Sequence, residues 1–165
     1  MNEISISRMT DDEFITAFEA CTLPNQEFHH ADHVRMAFLY LCRFSPIEAL
    51  QRFSQSLKNF AAAKDRPNLY HETITWAFLL MIRERMVRYS QCRGIQPTWN
   101  EFAGNNADLL NWKDNILRRY YREETLSSEL AKTTFIFPDR LDTDRLNKDR
   151  LDTDLPNNDR LDTGT

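Results

Sequence analysis

The 165-residue sequence is poor in glycine, cysteine and long apolar runs, and each shortage excludes a class of protein. Three glycines cannot supply the Gly-rich loops of P-loop or Rossmann nucleotide sites. Three widely spaced cysteines contain no C-x-x-C pair, which excludes a zinc knuckle or a redox dithiol. The longest apolar runs, residues 36–42 and 76–82, are far shorter than the roughly 20 residues of a membrane-spanning helix. We therefore expect a protein without a membrane partner.

The chain also lacks an excess of basic residues. It carries 21 Lys and Arg against 25 Asp and Glu, a formal net charge of −4. Affinity for nucleic acid comes mainly from neutralising phosphates, so we expect no nucleic-acid partner. Residues 1–5 show neither the basic nor the apolar region of a secretory signal, and unpaired cysteines are typical of a reducing compartment. These features predict a cytoplasmic protein.

A change of composition after Pro138 predicts two parts: a folded domain over residues 1–138 and an appendage over residues 139–165. The second part repeats the pentapeptide Asp-Arg-Leu-Asp-Thr with variations. One Leu in each five residues buries too little apolar surface to offset the entropy lost on ordering. A pentapeptide β-helix is excluded because Asp occupies the position that needs a small inward residue, and the repeats are too few to stack. We expect a disordered tail.

Residues 1–138 carry the signals of an all-α protein. Thr10, Ser45 and Thr98 each stand three residues before a Glu, the capping-box pattern of a helix start. Apolar residues then recur with helical spacing, and no alternating run or Asn-Gly turn indicates a sheet. The sequence predicts a compact bundle of about five to seven helices. They begin after Thr10, between residues 24 and 31, after Ser45, and near residues 69, 99, 107 and 125. The fourth, residues 69–89, is apolar on most sides and is predicted to be central or to form a homodimer face.

The four histidines fall in two short segments of the chain, and three of them are predicted to point inward. His30 lies in the middle of the apolar stripe of the second helix, and His33 lies at its edge one turn later. His71 faces the apolar side of the fourth helix. Burying an unsatisfied polar ring costs about 1–3 kcal/mol, so each ring needs a partner.

A metal ion can serve several imidazoles at once. His30 and His33 are three residues apart on one helix face, close enough to reach one ion, and His71 would add a ligand from another helix. Glu27, one Glu-x-x-His step before His30, is predicted as a fourth or bridging ligand. Glu72 points in a different direction from His71 around the helix axis, so it is the candidate general base and not a direct ligand. The predicted cofactor is a divalent metal, iron or zinc.

The segments Phe28-His-His-Ala-Asp-His33 and Tyr70-His-Glu-Thr-Ile-Thr75 resemble those of a small bacterial helical family, and the resemblance covers most of residues 10–139. No activity is known for that family, so the resemblance implies none here. Phosphohydrolases of the HD type are excluded because the adjacent His-Asp pair is absent. Di-iron bundles are excluded because they need a second Glu-x-x-His step.

Two functions remain open at this point. The first is a small metal-dependent enzyme of oxygenase or hydrolase type, with a His-rich site between two core helices and a small-molecule substrate. The second is a non-catalytic helical domain that binds a small apolar ligand or a protein partner, with histidines serving as buried hydrogen-bonding groups. The position of the ring nitrogens distinguishes them, because one ion requires the three rings to converge.

Overall fold

The computed structural model describes residues 6–24 and 28–140, and within these ranges the protein is all-α. Eight α-helices and three short 3-10 helices are present, and the described residues contain no strand. No helix in these ranges is long and apolar enough to cross a membrane. The α-helices are α1 (Asp11–Glu19), α2 (His30–Arg43), α3 (Pro46–Ala63), α4 (Glu72–Arg93), α5 (Trp99–Asn105), α6 (Ala107–Leu110), α7 (Glu123–Leu126) and α8 (Glu129–Thr133).

The capping signals predict the helix starts well. Thr10, Ser45 and Thr98 are the N-caps of α1, α3 and α5, each with a Glu three residues later that bonds back to the cap. These bonds satisfy amide groups that have no partner inside the helix. The sequence therefore determines where these three helices begin.

The second half of the chain is divided into more and shorter helices than the sequence predicts. The helix predicted over residues 107–121 is the four-residue α6, an irregular stretch and a 3-10 helix (Ile116–Arg119). The helix predicted over residues 125–133 is divided into α7 and α8. The fourth helix begins at Glu72 instead of near residue 69, because a 3-10 helix (Pro67–Leu69) precedes it. As a result His71 is the N-cap of α4 and lies outside the helix.

Helices α2, α3 and α4 pack against one another, and α1 covers α2 and α3. Their core is aromatic, with Phe14, Phe18 and Phe53 almost completely buried. The ring of Phe18 lies 5.4 Å from those of Phe28 and Phe60, between centroids. Each buried aromatic side chain contributes about 1.5–3 kcal/mol, so this cluster fixes how α1, α2 and α3 meet.

The end of the described chain is bonded to the helical domain. Asp139 accepts hydrogen bonds from the Arg122 amide, at 2.9 Å, and from the Thr125 hydroxyl. These donors hold the pKa of Asp139 below its usual value, with Thr125 the larger cause. The Arg140 amide donates to the Tyr120 carbonyl at 2.9 Å. Residues 141–165 lie outside the described residues, so the prediction of a disordered tail stays a prediction for them.

Two truncations separate the tail from these contacts. Deleting residues 141–165 is expected to leave the thermal midpoint unchanged, because their composition cannot support a core. Deleting residues 139–165 also removes Asp139 and Arg140, and we expect the midpoint to fall by a few degrees. Differential scanning calorimetry of both variants beside the intact chain measures this. A large drop in the shorter deletion would show that the repeat packs on the domain.

Candidate functional site

A cavity of about 590 Å³ lies between α2, α3 and α4, and it is partly open to solvent beside the exposed lining residues Leu69 and Trp112. Its wall is mostly aliphatic and aromatic, and includes Val34, Ala37, Phe53, Leu57, Phe60 and Ile82. His30, His33 and His71 also line it. The structure thus brings the three predicted histidines to one cavity, from the start of α2 and the start of α4.

His30 is bound to the backbone of α6. Its Nε2 lies 2.8 Å from the carbonyl oxygen of Leu109, which can only accept, so Nε2 carries the proton and donates. The ring also packs between Phe78 and Trp112, with centroids 4.9 Å and 5.0 Å away. Burial lowers the pKa of His30, and the bond to Leu109 opposes that shift. The ring is therefore neutral at pH 7.

His71 uses both ring nitrogens on the backbone. Nε2 donates to the Leu126 carbonyl at 2.8 Å, and Nδ1 accepts from the Ile74 amide at 3.3 Å. The second bond makes His71 the N-cap of α4, and the first ties that end of α4 to α7. In this arrangement neither nitrogen of His71 has a lone pair available for a metal ion.

The two rings bond to the same kind of group. Leu109 and Leu126 lie in the last turns of α6 and α7, helices of only four residues, and the last carbonyls of a helix have no partner within it. A histidine N–H beside a helix C-terminus satisfies such a carbonyl. His30 and His71 therefore anchor two short helices to the central ones.

His33 differs from the other two. Its ring packs on Phe28 with centroids 4.2 Å apart, and its nitrogens have no hydrogen-bond partner among the described residues. Burial, and secondarily the nearby His30, lower the pKa of His33 to about 4. The ring is neutral at pH 7 and leaves one donor and one acceptor unused beside the cavity.

The low pKa of His33 makes stability depend on pH. The pKa in the unfolded chain is near 6.5, so the stability is fully present above that pH and is lost as the pH falls toward 4. Between pH 7 and 4.5 we expect the free energy of unfolding to fall by about 2 kcal/mol more in the natural sequence than in His33→Gln. Urea unfolding at both pH values measures this difference. His29→Gln, at an exposed position, is the control. Its free energy of unfolding should fall between the two pH values by as much as that of the natural sequence.

The described residues contain no group of three His, Cys, Asp or Glu side chains arranged to hold one metal ion. His30 and His71 point their Nε2 atoms at carbonyls on different helices. Glu27, the predicted fourth or bridging ligand, lies outside the described residues. The metal site thus stays a prediction, and binding an ion would require at least His71 to give up a backbone bond.

Glu72, the candidate base, is the first residue of α4 and is only 16% exposed. Its carboxylate lies 3.4 Å from the Lys58 ammonium. It is not among the described residues that line the cavity. In the structure Glu72 thus forms an ion pair that joins α3 and α4. Its catalytic role stays a prediction.

No family model, curated protein or solved structure matches the chain.

Four lining residues were not predicted from the sequence: Lys64, Arg66, Tyr70 and Trp112. The hydroxyl of Tyr70 is buried close to the polar side chains of Ser54, Glu72 and Thr75, although none of them bonds it in good hydrogen-bond geometry. Burial, with a contribution from the Glu72 carboxylate, raises the pKa of Tyr70. No periodic pattern could have indicated these residues, because all four lie between helices, where side-chain direction does not follow from spacing.

Proposed function

We propose that the protein binds a small, largely apolar molecule in the cavity between α2, α3 and α4. One observation carries this proposal: a cavity of about 590 Å³ with an apolar wall and neutral imidazoles between the three longest helices. The volume falls in the range of roughly 300–1,000 Å³ that small-molecule sites occupy.

The polar groups beside the cavity suit a ligand with few polar atoms. His33 and Tyr70 line it; the His33 ring has no hydrogen bond to a described residue, and the Tyr70 hydroxyl has polar neighbours but no bond of good geometry. A buried polar group left unpaired costs about 1–3 kcal/mol, which a ligand atom can recover. His30 and His71 act as hydrogen-bonding groups that hold the wall in place. The burial of these histidines is then accounted for without a bound metal ion or a catalysed reaction.

Titration with Nile red, a neutral apolar fluorophore, tests the proposal. We expect a saturable, one-to-one rise in emission with a dissociation constant in the micromolar range. Native mass spectrometry of untagged protein should in addition detect bound small molecules that organic extraction removes. A folded protein, judged by its circular dichroism, that gives no saturable signal and carries no such molecule would exclude a binding function of this kind.

A metal-dependent enzyme is the second candidate, because His30, His33 and His71 line one cavity. It requires at least His71 to give up a backbone bond and a carboxylate such as Glu27 or Glu72 to take part. Elemental analysis of protein purified without a histidine tag decides between the candidates. Near-stoichiometric iron or zinc that disappears in the His30→Ala/His71→Ala variant would support the metal site and overturn our proposal.

A further inference from the structure

The cavity has an apolar end and a basic end. Along α3 its lining residues run from Phe53 to Lys64, and along α4 they run from Ile82 back to His71. The ends of each span are eleven residue steps apart, about 16 Å at 1.5 Å per residue. The segment that joins the two helices is short, so Lys64 and His71 lie at the same end. An elongated cavity of this kind suits a linear molecule better than a round one.

Two cations line the basic end. Lys64 is the C-cap of α3, and Arg66 follows it two residues later. Neither forms an ion pair among the described residues. The Lys64 ammonium lies 5.3 Å from the centroid of the Phe60 ring, over the apolar wall. No described residue that lines the cavity is acidic, so the lining charge there is of one sign; Asp65, between the two cations in the sequence, is exposed and does not line the cavity.

We infer that the ligand is a linear aliphatic carboxylate, with its chain between α3 and α4 and its carboxylate at Lys64 and Arg66. This inference rests on the proposed binding function and names the chemical class of the ligand. The chain gains free energy by leaving water for the apolar wall. The carboxylate stays at the exposed basic end, where it keeps part of its hydration and accepts hydrogen bonds from both cations.

A partly exposed pair of cations adds modest affinity. Ion pairs at a protein surface contribute little individually and weaken with added salt. For two such contacts we expect about a tenfold preference for a carboxylate over a neutral molecule of equal chain length. The preference, more than the absolute affinity, is the property that identifies this ligand class.

Decanoate and decanol provide the matched pair of ligands. Each is used to displace Nile red from the intact protein at pH 7.5, in low and high salt. We expect decanoate to bind about tenfold more tightly than decanol in low salt, and the difference to shrink in high salt. In Lys64→Gln/Arg66→Gln decanoate should lose its advantage, and the two ligands should bind with equal affinity. Arg88→Gln/Arg119→Gln removes the same charge from exposed positions outside the cavity wall, and should keep the preference.

The outcomes separate this inference from the binding function itself. Equal affinity for decanoate and decanol in the natural sequence would overturn the inference while leaving an apolar ligand site in place. A carboxylate preference that persists in Lys64→Gln/Arg66→Gln would overturn it too. Failure of Nile red and of both displacing ligands to bind would instead contradict the proposed function.

Discussion

Replacing Leu57 and Ile74 by Trp is expected to abolish ligand binding without unfolding the protein. The two side chains line the cavity from α3 and α4 and are partly buried. Larger side chains in a close-packed core normally cost about 1–3 kcal/mol through overpacking. Here the added rings enter an existing cavity, so we expect the free energy of unfolding to change by less than ~1 kcal/mol.

The measurement is Nile red binding together with urea unfolding. The affinity should fall at least tenfold in Leu57→Trp/Ile74→Trp. The control is Ile47→Trp/Leu80→Trp, which adds the same side chains at exposed positions on the same two helices. The control should bind Nile red with the same affinity as the natural sequence. Normal binding by the cavity-filling variant would place the ligand elsewhere on the protein.

His71→Ala is expected to destabilise the fold by about 2–4 kcal/mol. Loss of an N-cap costs about 0.5–2 kcal/mol, and the Leu126 carbonyl left without its donor costs about 1–3 kcal/mol. The two losses belong to different bonds of one ring, so they add. The loss should loosen both the start of α4 and the attachment of α7.

His71→Asn separates the two contributions. Asn is a good N-cap residue and can accept from the Ile74 amide, but its side chain is too short to keep the bond to Leu126. We therefore expect about half of the loss seen in His71→Ala, measured by urea unfolding at pH 7. A loss below ~0.5 kcal/mol in His71→Ala would show that the ring does not hold these helices together.

The sequence predicts the fold class and several helix starts because those features have local causes. The bonds of Thr10, Ser45 and Thr98 to the Glu three residues later need no tertiary context. Helical spacing likewise indicates the buried faces of α2 and α3. The broken helices after Asn105 are not predictable in this way. Helices as short as α6 and α7 depend on contacts from distant residues, here His30 and His71.

The candidate site could be predicted only in part, for a related reason. The inward direction of His30 follows from the period of α2, and the structure places it, with His33 and His71, on the cavity wall. Spacing along one helix cannot reveal which group meets a ring from another helix. The carbonyls of Leu109 and Leu126 belong to the backbone, which every residue has, so the sequence pattern cannot indicate them. The cations Lys64 and Arg66 lie beyond the end of α3, where helical periodicity no longer predicts the direction of a side chain.

The most direct test of the cavity as a ligand site is to locate a bound ligand by NMR. Intermolecular NOEs between the methylene protons of decanol and the side chains of the natural protein give this location. We expect NOEs to Ala37, Phe53 and Ile82, which line the apolar part of the cavity. NOEs confined to exposed residues such as Leu130 or Phe137, with none to those three, would contradict binding in the cavity.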